Sequence, residues 1–366
     1  MQEQFWAGKR VMVTGCNGFI GQHMTRRLLQ AGALVLGVSH HPLGAARAAL
    51  LAAQEPLPRG FSFELHDLLD CVSLSALVRK HRIDTVIHLA ASPIVSLAAS
   101  NPLPTMQNNI LGTLNVLEAA RQNNVERVLA ASSDKAYGDH FTDPSEPLPY
   151  KEHYALRGLD IYSASKVSAD TIAQAYAYQF KMPIASVRCC NIYGPGDLNL
   201  TRLIPKTTML LLAKRPPVIK QGHETVLREY LYIDDAVEAY MLLGEKLAVY
   251  YGPKGINMPD TGAQTYGWAG FNVGSYTAAQ TKNVAVCENI KSVTDVIGTL
   301  SKEIQAIPPE ISHQPRTYIE IPDEFLDATK IINLGFASRV VFAEGVRRSV
   351  AWYREHYEIL KNFQTV

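Results

Sequence analysis

Short apolar runs alternate with segments of helical periodicity along the first half of the chain. Six runs have the length and apolar content of buried strands, and they cover residues 10–15, 34–39, 61–68, 84–91, 126–133 and 183–191. Four segments between them place apolar residues at helical spacing, and they cover residues 21–32, 74–81, 105–124 and 162–180. Strands that alternate with helices favour parallel pairing, with helices on both faces of the sheet. The pattern predicts an α/β protein with a doubly wound parallel sheet.

The regular alternation ends near Asn191. Gly and Pro then become frequent, as in "YGPGD", "KRPPV" and "YGPKG", and a further strand and helix within residues 227–247 could return to the first domain. The predicted division is a first domain of residues 1–188 plus about 228–248, and a smaller C-terminal lobe of residues 189–227 plus 249–366. Ligands of open parallel sheets bind beyond the carboxyl ends of the strands, where a second lobe can close over them.

Composition narrows the classes of function. The chain has 366 residues, of which 47% are hydrophobic and 19% charged, as in a soluble enzyme with a sizeable core. The formal net charge is +1, so we expect neither a nucleic acid nor a membrane as partner. Five cysteines without zinc-binding spacing favour a reduced, cytoplasmic setting and no metal site. No run is apolar and long enough to cross a membrane.

The loop after the first strand has the spacing of a dinucleotide-binding site. "VTGCNGFIG" places Gly15, Gly18 and Gly21 at three-residue intervals between a strand and a helix. Glycines permit the tight turn, the approach of a pyrophosphate and close packing of the helix, whose N-terminal N–H groups face the phosphates. The loop therefore predicts that the sheet is a Rossmann fold that binds NAD or NADP.

The residues after the second and third strands leave the choice between NAD and NADP open. An acid after the second strand would bind the ribose hydroxyls of NAD, but the sequence has Ser39, His40 and His41. These could be exposed loop residues, or the missing negative charge could admit the 2′-phosphate of NADP. Asp67 could accept a hydrogen bond from the adenine amino group, or it could cap the following helix.

Two segments further along carry candidate proton-transfer groups. "YSASK" places Tyr162 and Lys166 on one helical face, where an ammonium group lowers the pKa of a tyrosine. "SSDKAYG" puts Asp134 beside Lys135 at the end of a strand, either as an acid and a base in one site or as a solvated loop pair. Because adjacent strand residues point to opposite faces, both can serve one site only if the backbone leaves strand geometry at Asp134.

These motifs together resemble the extended short-chain dehydrogenase/reductase family, the NAD-dependent epimerases and dehydratases of nucleotide sugars. The matching segments, in the family's order, are "TGCNGFIG", "HDL", "VIHLAA", "NNILGTLNVLEAA", "SSDKAYG", "YSASK", "RCCNIYGPGD", "RLIPK" and "REYLYIDD". The C-terminal segment also resembles the family's end, whereas residues 260–285 form a longer stretch than usual. Within the family, "HLAASPIV", "SSDKAYG" and "RLIP" are most similar to CDP-glucose 4,6-dehydratases.

The resemblance implies loss of water from a nucleotide hexose, with a hydride passed from C4 to a tightly bound, recycled cofactor and back to C6. Tyr162 is then the base at the 4-hydroxyl, with Lys166 tuning it, and Ser133 binds the C4 oxygen. Lys135 takes the C5 proton, and Asp134 protonates the departing 6-hydroxyl, which requires a raised pKa.

The resemblance also implies residues that contact the two ligands. For the cofactor these are Gly15, Asn17, Gly18, Phe19, Ile20, Gly21, Ser39, His40, Asp67, Leu68, Leu89, Ala90, Ala91, Asn109, Tyr162, Lys166 and Cys189. For the nucleotide sugar they are Pro93, Asn191, Arg202, Leu203, Ile204, Lys206, Arg228 and Arg316. Arg228 would bind the diphosphate, or it could instead form an ion pair with Glu229 or Asp234. Cys189 and Cys190 are expected to be buried, and His88 to lie in the core.

Two other functions stay open at this point. A 4-epimerase, or a dehydratase of another sugar, would share the fold and most of the motifs. A non-catalytic dinucleotide-binding protein would not need Ser133, Tyr162 and Lys166, whose presence disfavours it. By analogy with the family, we expect a homodimer that pairs through helices near residues 104–123 and 160–180.

Overall fold

A computed structural model describes residues 2–42, 59–139, 145–251, 269–277, 287–305, 312–314 and 321–362. The strands are β1 Arg10–Thr14, β2 Leu34–Ser39, β3 Phe61–Leu65, β4 Thr85–His88, β5 Arg127–Ala131, β6 Ile184–Cys189, β7 Asn191–Tyr193, β8 Val218–Lys220, β9 Leu227–Tyr232, β10 Gly270–Val273, β11 Ile290–Ser292 and β12 Ser312–Gln314.

The helices are numbered in chain order over the same described residues. They are α1 Gln2–Trp6, α2 Phe19–Gln30, α3 Cys71–Lys80, α4 Val95–Ser100, α5 Pro102–Met106, α6 Gly112–Gln122, α7 Ile161–Phe180, α8 Leu203–Leu212, α9 Ile233–Tyr251, α10 Val293–Ile304, α11 Thr329–Asn333, α12 Phe342–Glu355 and α13 Tyr357–Leu360. A single π-helical turn, Gln107–Leu111, joins α5 to α6, and a 3₁₀ turn, Asp134–Ala136, follows β5.

The large sheet has seven strands in the order β10-β6-β5-β4-β1-β2-β3, and every neighbouring pair is parallel. Helices α3, α6 and α7 form one layer, and α1, α2 and α9 form another. The predicted doubly wound Rossmann fold is confirmed. The strand order reverses between β1 and β4, which makes their carboxyl ends the place where such sheets bind ligands.

A three-stranded sheet, β11-β9-β7, and a two-stranded sheet, β12-β8, lie outside the large one. Two strands pair differently from what the predicted division into domains implies. Strand β9 belongs to the small sheet, while the helix that follows it, α9, packs against α2, β5 and β6. Strand β10 comes late in the chain but pairs with β6 in the large sheet. Its four residues are all buried, and so short a run carries no periodicity by which sequence could place it.

Several predicted strands end earlier than expected, and these early ends shape the site. The run 84–91 is a strand only to His88, and the run 126–133 only to Ala131. The residues that follow form irregular backbone at the carboxyl edge of the sheet. Within the described ranges, no helix is both long and apolar enough to span a bilayer.

Candidate functional site

The glycine loop brings the end of β1 against the end of β4. Gly15 has a φ of +68°, and a Cβ there would lie 2.8 Å from the backbone nitrogen of Ala90. A Cβ on Gly21 would lie only 2.1 Å from the Gly15 carbonyl oxygen, so α2 packs on the loop without a side chain between them. Helix α2 starts after Gly18, and no side chain caps it. Phe19 and Ile20 form its first turn. This bare backbone at a helix N-terminus fits a dinucleotide pyrophosphate.

The segment after β2 is tied to the glycine loop. The Asn17 side-chain amide donates to the His41 carbonyl oxygen at 3.0 Å, and the rings of His40 and His41 lie 3.7 Å apart. Partial burial, and then the neighbouring His41, lower the pKa of His40, while the charge of Asp67 opposes them. His40 and Asp67 therefore lie within electrostatic range of each other, on the side of the sheet where the adenosine of a dinucleotide binds.

Asp67 does not cap the following helix, so that alternative is wrong. Its carboxylate accepts a hydrogen bond from the Leu69 N–H at 3.0 Å. The cap of α3 is instead Asp70, which accepts from the Ser73 N–H at 3.1 Å. The Leu68 carbonyl accepts a hydrogen bond from Asn115 of α6 at 2.8 Å. Asp67 and Leu68 thus lie in a fixed turn at the carboxyl end of β3.

The π-helical turn places a buried amide behind the end of β4. Asn109 accepts a hydrogen bond from the Ser92 N–H at 2.7 Å and donates to the Ser165 hydroxyl at 2.8 Å. It therefore links Ser92, which directly follows the half-buried Leu89–Ala91 segment, to α7. Single π-helical turns of this kind are frequent at functional sites. Pro93 lies just beyond, exposed, ahead of α4.

His88 lies in the core, as expected. Its ring nitrogens contact the hydroxyls of Thr14 at 2.7 Å and Thr113 at 3.0 Å. Burial lowers the pKa of His88 to about 3, so the ring is neutral. Cys189 and Cys190 are also buried, as expected, and burial raises the pKa of Cys189 to about 12. Within the described ranges, no three His, Cys, Asp or Glu side chains form a group that could hold a metal ion.

The backbone leaves strand geometry at Asp134, as it must if Asp134 and Lys135 are to serve one site. Ser133 is still extended and begins the 3₁₀ turn Asp134–Ala136. The Ser133 hydroxyl donates to the Asp134 carboxylate at 2.9 Å, and the Lys135 N–H donates to the same oxygen at 2.8 Å. Asp134 is only 3% exposed, which rules out a solvated loop pair for this residue. Its second oxygen, Oδ2, has no hydrogen-bond partner within the described ranges.

The surroundings of Asp134 favour its protonated form. Burial first, and then the nearby carboxylate of Glu324, raise its pKa to about 7, while Lys135 and the Ser133 hydrogen bond oppose the rise. A carboxyl group with such a pKa still carries its proton in a large fraction of molecules at neutral pH. Asp134 can therefore donate a proton, which an ordinary aspartate cannot do at this pH.

Lys135 makes an ion pair that the sequence did not predict. Its Nζ contacts Oε2 of the fully buried Glu324, and the Lys135 side chain is 17% exposed. Glu324 comes from the irregular C-terminal segment, 189 residues further along the chain. One acid in a segment without periodicity carries no signal that would single it out, so only the structure reveals this contact.

Tyr162 and Lys166 lie on successive turns of α7, beside the end of β5. The helix is capped by Asp160, whose carboxylate accepts from the Ser163 N–H at 3.0 Å. Ser133 lies close enough to Tyr162 to lower its pKa, and Lys166 Nζ donates to the Ala131 carbonyl oxygen at 3.0 Å. Ser133, Tyr162 and Lys166 therefore meet at one place, next to Asp134.

The pKa of Tyr162 moves opposite to the expected direction. Burial raises it to about 12, although the nearby Ser133 side chain and the charge of Arg202 lower it. Burial also lowers the pKa of Lys166 to about 8. The expectation of an ammonium-stabilised phenolate considered the neighbouring charge alone, whereas burial disfavours the charged form of both side chains. A cation placed close to Tyr162 would favour its phenolate form.

Apart from Pro93, the residues expected to bind a nucleotide sugar lie in the second part of the chain. The Asn191 amide donates to the Glu229 carbonyl oxygen at 3.2 Å. Arg202, just before α8, makes an ion pair with Asp197 at 3.0 Å. Its positive charge also lowers the pKa of Tyr162. Leu203, Ile204 and Lys206 occupy the first turn of α8, and Ile204 is buried. Arg316 and most of residues 260–285 lie outside the described residues.

Arg228 has partners other than the two expected for an ion pair. Its guanidinium donates to the carbonyl oxygens of Leu227 at 2.8 Å, Pro322 at 2.9 Å and Ile321 at 2.7 Å. Its Nε lies 3.5 Å from Oε2 of Glu324, an acid other than the expected Glu229 and Asp234. Arg228 and Lys135 thus converge on one carboxylate at the edge of the site.

Fold and site together define a class: a Rossmann protein with a dinucleotide loop at the reversal of its strand order and a Ser-Tyr-Lys set beside it. The comparison with family models agrees with this class. The chain belongs to the NAD dependent epimerase/dehydratase family, whose model matches residues 11–258. This family is the extended short-chain dehydrogenase/reductase family that the motifs resemble.

Individual relatives have two different activities in their names. The CDP-glucose 4,6-dehydratase of Salmonella typhimurium is 29% identical over 257 residues, which are 68% of this chain and 69% of that protein. The dTDP-D-glucose 4,6-dehydratase of Homo sapiens is 26% identical over 358 residues, covering 97% and 93% of the two chains. The solved UDP-glucose 4-epimerase of Thermus thermophilus, in complex with NAD, is 25% identical, covers 94% of this chain and 99% of that one, and superposes with a TM-score of 0.74.

Proposed function

We propose that this protein is an enzyme that removes water from the hexose of a nucleotide sugar, forming a 4-keto-6-deoxy sugar. The observation that carries the proposal is the turn at residues 134–136, which buries an acid with a pKa raised to about 7 beside Ser133 and Tyr162. An epimerase has no need of a group that protonates a departing hydroxyl. The dehydratases among the relatives support the same function.

The cofactor that we propose is NAD, recycled within each turnover. The close approach of Gly15 to Ala90 and the uncapped start of α2 fit its pyrophosphate. Held by the glycine loop and the start of α2, NAD would supply an acceptor for the C4 hydride and a donor of that hydride to C6, and its oxidised nicotinamide ring would bring a positive charge. That charge would favour the phenolate of Tyr162, which burial alone disfavours.

The chain's own residues divide the proton transfers between them. Tyr162 removes the proton of the 4-hydroxyl, and the Ser133 hydroxyl turns its hydrogen from Asp134 to the C4 oxygen. The resulting 4-ketone acidifies the C5 proton, which Lys135 removes. Asp134 then protonates the 6-hydroxyl as it leaves, so that the net loss is one molecule of water.

Mass spectrometry with a panel of nucleotide sugars tests this function. The protein with NAD is incubated with CDP-, UDP-, dTDP- and GDP-glucose, and each product is examined for the loss of one water. We expect loss of water with at least one of them, and the panel identifies the nucleotide. An unchanged mass together with an altered C4 configuration would instead establish an epimerase.

Two substitutions separate the oxidation from the loss of water. Lys135→Met should retain C4 oxidation, seen as absorbance of the reduced nicotinamide, while water loss falls by about 10²- to 10⁴-fold. Lys80→Met is the matched control, because Lys80 also pairs with a glutamate, Glu64, but on the surface at 3.0 Å. If the Lys135→Met and Lys80→Met variants catalyse the loss of water from the sugar equally fast, the assigned role of Lys135 is wrong.

A further inference from the structure

Glu324 reaches the site from the other part of the molecule. Its backbone N–H donates to the Leu227 carbonyl at 3.1 Å, and its carbonyl accepts from the Glu229 N–H at 3.3 Å. The segment around Glu324 therefore runs beside β9, and its side chain is fully buried. A carboxylate is taken completely out of water only where charged partners compensate it.

Three ionisable groups face this carboxylate within the described ranges. Lys135 and Asp134 come from the turn after β5, and Arg228 comes from β9. Both cations lie against Oε2, whereas Oε1 of Glu324 has no hydrogen-bond partner there. Asp134 has an unpartnered oxygen too, Oδ2. Buried oxygens without a hydrogen-bond partner are few in native proteins, and a catalytic role is one explanation for them.

The ion pair has a consequence for the proposed reaction. A lysine in contact with a carboxylate is an ammonium ion, which has no lone pair with which to accept a proton. Lys135 must therefore lose a proton before it can remove one from C5. Glu324 is in contact with Lys135 Nζ and can accept that proton.

We propose that Glu324 is a positioning residue that fixes the Lys135 amine in the site and takes its proton when the sugar binds. This inference rests on the proposed dehydration. First, the proton passes from Lys135 Nζ to Glu324, which leaves a neutral amine and a neutral carboxyl group. The amine then takes the C5 proton, and the electron pair of that C–H bond forms the enolate. The enolate expels the 6-hydroxyl, which takes its proton from Asp134.

The cycle closes without any further reactant. When the hydride returns to C6, the Lys135 ammonium gives a proton back to C5, which leaves the amine neutral. Glu324 then returns its proton to Lys135, and Asp134 regains a proton from solvent after the product leaves. Pairing two buried groups in this way avoids the release of a proton to water at the moment of base catalysis.

The first test needs neither substrate nor cofactor. Lysines are methylated with formaldehyde and cyanoborohydride at about pH 7, where only a neutral amine reacts, and the sites are mapped by mass spectrometry. Glu324→Gln removes the carboxylate that holds the ammonium form, so methylation of Lys135 should increase several-fold. Lys80, whose partner Glu64 is unchanged, is the internal reference, and Glu64→Gln is the matched control variant. Equal methylation of Lys135 with and without Glu324 would overturn the proposal.

The second test follows the proton at C5. In an Asp134→Asn background, the titration of Asp134 is removed, and deuterium from heavy water enters C5 while the 6-hydroxyl stays in place. With Glu324 present, the exchange rate should be nearly constant between about pH 6 and pH 8, because the proton passes within the pair. With Glu324→Gln it should rise about tenfold per pH unit, because Lys135 must first lose its proton to solvent.

The outcomes distinguish the two proposals. If the enzyme removes water but both pH profiles coincide, dehydration stands and the role of Glu324 is wrong. If no nucleotide sugar loses water, the proposed function fails, and the methylation of Lys135 still decides whether Glu324 controls its protonation. Glu324→Asp serves if Glu324→Gln does not fold, because it keeps the charge but shortens its reach and should give intermediate values.

Discussion

At the scale of single residues, the environment gives one aspartate an unusual role. Asp134 is chemically an ordinary aspartate, but it is almost fully buried and faces Glu324. Both conditions disfavour its ionised form, so its pKa rises instead of falling. The folded state therefore binds this proton more tightly than the unfolded chain does. Its contribution to stability is fully present below the ordinary aspartate pKa and is lost as the pH rises through about 7.

The same shift predicts a pH dependence of activity. Because the acid form of Asp134 protonates the leaving hydroxyl, kcat/KM for water loss should fall as the pH rises through about 7. Asp134→Asn should lower the rate by about 10²- to 10⁴-fold and remove this alkaline fall. Initial rates of product formation across the pH range measure both effects. An unchanged alkaline fall in the Asp134→Asn variant would assign the acid to another group.

How far single residues could be predicted depends on their local sequence. Ser133, Tyr162 and Lys166 lie in short motifs, and the structure brings them together. Glu324 lies in no motif and approaches Lys135 only because the segment around it runs beside β9. The raised pKa of Tyr162 could not be predicted from the sequence either, since burial is a property of the folded protein.

At the scale of elements, the glycine loop and the 3₁₀ turn both depend on where a strand ends. The loop requires glycines for steric reasons, because α2 packs directly on the backbone at Gly15. The turn at 134–136 depends on β5 ending at Ala131, two residues before the apolar and small residues run out. Strand ends are poorly defined by sequence alone, so the loop was predicted while the turn could only be stated as a requirement.

Two glycine substitutions in helices test the steric argument. Gly21→Ala in α2 would put a Cβ 2.1 Å from the Gly15 carbonyl oxygen, so the free energy of unfolding should fall by ~1–3 kcal/mol and NAD should bind more weakly. Gly298→Ala in α10 meets nothing within 4 Å, and it should raise stability by about 1 kcal/mol. Urea denaturation and NAD titration measure these effects. Equal stability of the two variants would refute the close packing at Gly21.

At the scale of the whole molecule, buried polar contacts join segments that are distant in the chain. Glu229 of β9 accepts hydrogen bonds from the N–H groups of Ser275, Tyr276 and Leu326, the last at 3.0 Å. It is fully buried, and burial raises its pKa. This carboxylate thereby holds the segments after β10 and after Glu324 against β9, close to the groups of the site.

Removal of that charge should loosen the arrangement. Glu229→Gln presents an amide N–H₂ to backbone donors in place of one acceptor oxygen, so the free energy of unfolding should fall by about 3 kcal/mol. Glu358→Gln is the matched control, because Glu358 is 78% exposed and should change stability by less than about 0.5 kcal/mol. Urea denaturation of the two variants provides the measurement. A loss for Glu229→Gln no larger than that of the control would show that these bonds contribute little.

The sequence by itself determined the parallel sheet, the dinucleotide loop and the Ser-Tyr-Lys set, because each follows from local spacing or from strand–helix alternation. It could not determine that β10 joins the large sheet or that β9 belongs to the small one, because short buried runs carry no register. Nor could it determine that Asp134 is an acid with a raised pKa, or that Lys135 is held by Glu324. Those properties depend on burial and on contacts between segments far apart in the chain, which arise only when the chain folds.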